Sequence, residues 1–83
     1  MRGPREVLNE LKWTTGLAGV EVTYVHRGAP GDVRVVRAED VLALGTSFFD
    51  IAAPRGRSGS IPYHRVVRIA RGGGETLWER KRD

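Results

Sequence analysis

Three arginines and a histidine are interleaved with β-branched apolar residues in Ile61-Pro62-Tyr63-His64-Arg65-Val66-Val67-Arg68-Ile69-Ala70-Arg71. A half-buried strand bearing guanidinium groups is a way to hold a phosphate. Each guanidinium is planar and can meet two anionic oxygens at once. The imidazole of His64 can donate to a phosphate oxygen or to a ribose hydroxyl. No Asp or Glu lies between Asp50 and Glu75, and Arg55, Arg57, Arg65, Arg68 and Arg71 all fall in that window. His26-Arg27 repeats the His-Arg dipeptide of His64-Arg65. If their strands are neighbours, Arg27 and Arg65 converge.

The charge distribution points the same way. Residues 1–51 carry a net −1 and residues 52–83 a net +5, giving the overall +4. Twelve of the fourteen basic residues are Arg. A basic half rich in Arg suggests an anionic partner, nucleic acid first. The competing explanation is a genome or habitat that favours Arg, which accounts less well for the asymmetry. The chain has no Cys, so thiolate metal sites and thiolate chemistry are excluded. This suits a reducing compartment. Two His and scattered carboxylates form no recognisable metal-ligand spacing. Gly72-Gly73-Gly74 lacks the Lys and following helix of a phosphate loop. Neither metal nor cofactor is expected. The N-terminus has no apolar segment of a signal peptide. Val41-Leu42-Ala43-Leu44 is far short of a membrane span. The expectation is one soluble, cytoplasmic domain over residues 1–83 with no membrane partner.

The elements that must position these residues can be read coarsely. Pro4 suits a first helical turn, and Val7, Leu8 and Leu11 make one apolar face of a helix over residues 4–13. Val20 to Arg27 reads as a strand whose apolar side is Val20, Val22 and Tyr24. Gly28-Ala29-Pro30-Gly31-Asp32 is turn chemistry. Val33 to Arg37 pairs back as a hairpin, with Val33 and Val35 inward. Ala38-Glu39-Asp40 opens a second short helix carrying Val41, Leu42 and Leu44. Residues 47–51 form a short strand, residues 52–60 a loop, and 61–71 a long strand. The three glycines turn into a last strand over residues 75–80. The expected fold is α+β: a twisted antiparallel sheet of about five strands, one N-terminal helix and a second short helix.

The long strand strains this reading. Strict alternation puts Arg65 in the middle of the apolar face of Tyr63, Val67 and Ile69. Pro62 cannot donate a ladder hydrogen bond. An irregularity is therefore expected around residues 62–65, aiming His64 and Arg65 differently from the strand that follows.

Four segments together carry a resemblance: Val7-Leu8-Asn9-Glu10-Leu11-Lys12-Trp13, Tyr24-Val25-His26-Arg27-Gly28, Ile61-Pro62-Tyr63-His64-Arg65-Val66 and Leu77-Trp78-Glu79-Arg80. In order and spacing the chain resembles a family of small archaeal proteins, also found as a domain of larger eukaryotic proteins. That family is described as an RNA cyclic-group end recognition domain. The resemblance implies binding of RNA ends bearing a 2′,3′-cyclic phosphate, and RNA-processing enzymes as partners. Two departures stand out. Thr14-Thr15 follow the Lys-Trp pair where relatives have Asp, and Glu79 replaces an Asp.

The candidate RNA- or phosphate-binding residues are His64, Arg65, Arg68, Arg27, His26, Lys12 and Arg71, with Arg55 and Arg57 as loop arginines. Each has an ordinary alternative. His64 would cap the strand entry and Arg65 would pair with Glu79. Arg68 and Arg71 would form a solvated face, and Lys12 would answer the helix dipole. Trp13 and Trp78 are expected in the core, the alternative being that one stacks a terminal base. The leading expectation is an RNA-end binding module without catalysis. A small ribonuclease or cyclic phosphodiesterase using His64 and His26 is the second reading. A protein-interaction adaptor is the third.

Overall fold

The computed structural model describes residues 3–52 and 58–80. Helix α1 spans Pro4–Trp13, and the Glu6 carboxylate accepts the Gly3 N–H at 3.2 Å at its start. The apolar stripe read from the sequence is the buried one: Val7 and Leu8 are in the core and Leu11 packs on it. Seven strands follow: β1 Val20–Val25, β2 Val33–Arg37, β3 Val41–Leu44, β4 Phe48–Ala52, β5 Ser58–Pro62, β6 Val66–Arg71 and β7 Glu75–Glu79. They form two antiparallel sheets, not one of about five strands. The first has the order β2-β1-β6-β7 and the second β3-β4-β5.

Four further expectations are corrected here. Ala38–Asp40 is a single 3-10 turn, and Val41–Leu44 is a strand rather than a second helix. Four residues cannot complete a helical face, whereas a strand of that length can pair, here with β4. In β2 the inward residue is Val36. It lies opposite Val22, and Val35 is 58% exposed. The long strand of residues 61–71 is two strands in two sheets, joined by a 3-10 turn at Tyr63–Arg65. The irregularity implied by Pro62 and Arg65 is thus the point where the chain changes sheets. The expected loop 52–60 is shorter, because Ala52 ends β4 and Ser58 begins β5. Arg55 and Arg57 lie outside the described residues.

One core joins α1, the inward face of the first sheet and the second sheet. Val20, Val22 and Tyr24 of β1 meet Phe49, Ile51 and Ile61 of β4 and β5, with Val66 and Ile69 of β6. Phe49 is fully buried and packs its ring at 5.4 Å from that of Tyr63. Burying such a side chain is worth about 1.5–3 kcal/mol. The Tyr63 hydroxyl donates to the Gly45 carbonyl at 2.9 Å, which ties the sheet-changing turn to the β3–β4 hairpin. Burial raises the pKa of this phenol, with Arg5 opposing and Glu6 and Asp50 reinforcing. Trp13 is not in the core: it is 76% exposed, with the Lys12 ammonium 5.9 Å from its ring centroid. Trp78 packs against the core as expected.

Candidate functional site

The hairpin between β1 and β2 presents His26 and Arg27. The His26 N–H donates to the Asp32 carbonyl at 2.8 Å, closing the loop. Gly28 lies at φ 93°, a conformation that favours glycine, and its N–H meets the Asp32 carboxylate at 3.4 Å. The chain thus turns sharply just after Arg27. His64 and Arg65 come from the 3-10 turn between β5 and β6, and both are exposed.

Sheet order brings the two dipeptides together. β1 and β6 are antiparallel neighbours, so the end of β1 lies beside the start of β6. Thr23 faces Arg68 but Tyr24 faces Val66, a register shift just before the cleft. A bulge of this kind re-aims the side chains beyond it. Val25, His26, Arg27, His64 and Arg65 line one open cleft of about 500 Å³. Among the described residues, no acidic one lines it. Arg27, His64 and Arg65 make no side-chain hydrogen bond or ion pair with any described residue. Arg65 does not pair with Glu79, which lies opposite Arg68 across the β6–β7 ladder. His26 is half-buried, its ring edge-on to Tyr24 at 6.3 Å. Four groups able to donate to an anion therefore converge with no side-chain hydrogen bond to any described residue.

The turn carrying His64-Arg65 is held from behind by a residue that the sequence reading left among motif residues without a role. Arg80 donates from Nε to the Val66 carbonyl at 3.0 Å and from a terminal nitrogen to the Tyr63 carbonyl at 3.3 Å. Its backbone N–H donates to the Val67 carbonyl at 2.9 Å, and its guanidinium lies 5.3 Å from the Trp78 ring centroid. These carbonyls bracket His64-Arg65. The rigid fork of a guanidinium suits spanning two such acceptors. The signal was the Trp78-Glu79-Arg80 motif, which showed nothing of what Arg80 touches.

The other candidates stand elsewhere. Arg71 lies opposite Val20, at the far end of β1. Five residue steps along a strand separate that end from Val25, about 17 Å. There Arg71 donates to the Thr15 hydroxyl at 3.1 Å and approaches Glu75 at 3.6 Å. Lys12 is in the last turn of α1, three residues before the Thr15 that Arg71 bonds. Arg68 lies mid-strand, bonded through Nε and a terminal nitrogen to the Thr76 hydroxyl at 3.3 and 3.0 Å. Thr14, at the departure from the Asp of relatives, bonds its own helix through Glu10 at 2.7 Å.

Fold and cleft define a class: a small α+β protein with two antiparallel sheets and a basic cleft, free of acids among the described residues, where the chain passes between them. Over residues 1–80 the chain matches the family described as the MJ1316 RNA cyclic group end recognition domain, and it belongs to that family. Its relatives include archaeal UPF0248 proteins. That of Pyrobaculum calidifontis is 37% identical over 78 residues, covering 94% of this chain and 97% of the relative. That of Pyrobaculum islandicum is 34% identical over 77 residues, covering 93% and 88%. That of Thermococcus gammatolerans is 37% identical over 57 residues, covering 69% and 61%. No solved structure matches the chain. No helix among the described residues is long and apolar enough to cross a membrane.

Proposed function

We propose that this protein binds RNA ends bearing a 2′,3′-cyclic phosphate or a terminal phosphate, in the cleft formed by His26, Arg27, His64 and Arg65. The observation that carries the reading is the convergence of both His-Arg dipeptides, from two hairpins, on one cleft with no acidic lining among the described residues. The family description supplies the nature of the end. Arg65 and Arg27 take the non-bridging phosphate oxygens. His64 and His26 donate to the ring oxygens or to the ribose. Arg71 lies too far along β1 to share that phosphate, Lys12 stands on α1 three residues before Arg71's partner Thr15, and Arg68 is engaged by Thr76.

The test is a titration of labelled RNAs identical except for the end: 2′,3′-cyclic phosphate, 3′-phosphate or 3′-hydroxyl. The phosphate-bearing ends should bind more tightly than the hydroxyl end, and more weakly as salt rises, because phosphate contacts release counterions. Equal binding of all three, or no effect of Arg65→Ala, rejects the reading.

One observation favours a second reading. His26 and His64 line the same cleft, and two imidazoles are the minimum for acid–base opening of the cyclic ester. One would take a proton from water as it adds to phosphorus. The other would protonate the ribose oxygen as its bond to phosphorus breaks. Product formed from a cyclic-phosphate RNA by the wild type, and by neither His26→Ala nor His64→Ala, would make the protein a phosphodiesterase. Turnover surviving both changes would exclude this mechanism.

A further inference from the structure

We propose that the seam between the two sheets is the track of the RNA strand leading to the bound end, with Arg34 holding the phosphate before the terminal nucleotide. This rests on the RNA-end reading above and adds a second phosphate site and a direction to it. Three depressions succeed one another along the seam. The first is the His-Arg cleft. The second, about 250 Å³, shares His26 and Arg65 with the first and is floored by Tyr24, Ile51 and Ile61. The third, about 360 Å³, shares Tyr24 and Ile51 with the second and opens beside Arg34 and Ala52. Residues of both sheets line the second and third.

The chemistry along this path alternates. It begins with unpaired cations, crosses an apolar floor containing one aromatic ring, and reaches another cation. A nucleotide chain alternates in the same way: phosphate, planar nucleoside, phosphate. Bases stack on such floors with little regard to sequence, because every base has a π face. The middle depression therefore suits the terminal nucleoside when its phosphate lies in the cleft.

Register explains why Arg34 is the cation at the far end. It lies opposite Tyr24 across the β1–β2 ladder, so the two share the face turned toward the second sheet. Arg34 is exposed, and its guanidinium makes no hydrogen bond or ion pair with any described residue. Arg37, beside the same depression, is engaged by Glu39 at 3.3 Å and Asp40 at 3.5 Å. Of these two arginines, Arg34 is the one with donors to offer. The outward face of the first sheet also reaches the cleft through Val25, but it fits a phosphate chain less well. There Arg68 is bonded to Thr76 and Arg80 to Tyr63 and Val66; Glu79 lines that depression as Asp40 lines the third, but Asp40 is engaged by Arg37.

The test compares two ligands with the same end: adenosine 2′,3′-cyclic phosphate and a tri-adenylate ending in that group. Each is titrated against wild type and Arg34→Ala at several salt concentrations. The trinucleotide should bind more tightly to wild type. Arg34→Ala should weaken the trinucleotide about tenfold, as expected for one charge-assisted contact, and leave the mononucleotide unchanged. It should also lower the trinucleotide's log–log salt slope by about 0.7, the value for one single-strand phosphate. Arg34→Gln repeats the comparison if the Ala variant disturbs the hairpin, with thermal melting to show that each variant is folded. Equal binding of both ligands to wild type, no effect of either variant, or an equal loss for both ligands overturns the track while leaving the end reading in place. Failure of both ligands to bind wild type overturns the two together.

Discussion

The two ends of β1 carry the same residue chemistry in opposite states. At the Val20 end, Arg71 is shared between Thr15 and Glu75, and Lys12 lies against the exposed ring of Trp13. At the Val25 end, Arg27 and Arg65 have no partner among the described residues, and two histidines stand beside them. Arg68, between the ends, is bonded to Thr76. An arginine with satisfied donors holds structure together, whereas one whose donors are unspent is available to an anion. The position of each guanidinium relative to its neighbours therefore separates the candidates better than the count of positive charges. Arg80 belongs to the first kind but serves the second, because the carbonyls it holds are those of the turn that presents His64 and Arg65.

The contrast is sharpened most by removing Arg65. Arg65→Ala should lower affinity for a cyclic-phosphate end tenfold or more, since a hydrogen bond to a charged group is worth about 1.5–3 kcal/mol. Its thermal stability should stay within about 0.5 kcal/mol of wild type, as for other exposed positions. A variant that binds normally breaks the contrast. Arg80→Ala comes next. It removes a charged donor from two carbonyls, of which that of Tyr63 keeps the Val66 N–H, so stability should fall by about 1–3 kcal/mol in denaturant unfolding. End selectivity should fall with it, and Arg80→Lys, which lacks the fork, should recover only part of that selectivity. Arg71→Ala removes an exposed pair worth about 0–1 kcal/mol. It should leave end binding unchanged in the titration that detects Arg65→Ala, and an equal loss would erase the distinction between the two ends.

The smallest effect concerns the base of the turn. Folding raises the Tyr63 pKa, so the folded state favours the neutral phenol. That preference has no effect on stability below the unfolded pKa of about 10 and turns into a loss as pH rises through the higher folded value. Tyr63→Phe should lose about 1 kcal/mol at neutral pH through its bond to Gly45. It should then fall less steeply than wild type in stability curves above pH 10. A parallel decline in both proteins would contradict the assignment.

What was legible in the sequence was local. Pro4 and the spacing of Val7, Leu8 and Leu11 gave the limits of α1, and alternation in β1 gave its buried face. The conflict at Arg65 located the turn at Tyr63–Arg65, because a guanidinium cannot sit in an apolar row. Val41–Leu44 misled, since four apolar residues have no period to measure, and only pairing with β4 makes them a strand. Val35 and Val36 misled because adjacent valines leave the inward parity open, and the Val22–Val36 pairing settles it. The division into two sheets was not legible, because it depends on which strands neighbour each other across long separations. The convergence of His26-Arg27 with His64-Arg65 comes from β1 lying beside β6. For the same reason nothing local marked Arg34, whose interest lies in its place opposite Tyr24 and beside the second sheet.

The most direct test of the distinction between the two ends is a heteronuclear NMR titration of the intact protein with a short RNA ending in a 2′,3′-cyclic phosphate. The largest shifts should fall on the imidazole signals of His26 and His64 and on the backbone amides of Arg27 and Arg65. Thr15, Arg71 and the Trp13 indole should stay close to their free positions. Shifts concentrated on Lys12, Trp13 and Arg71, with the two histidines unmoved, would place the anion at the other end of β1 and contradict the account.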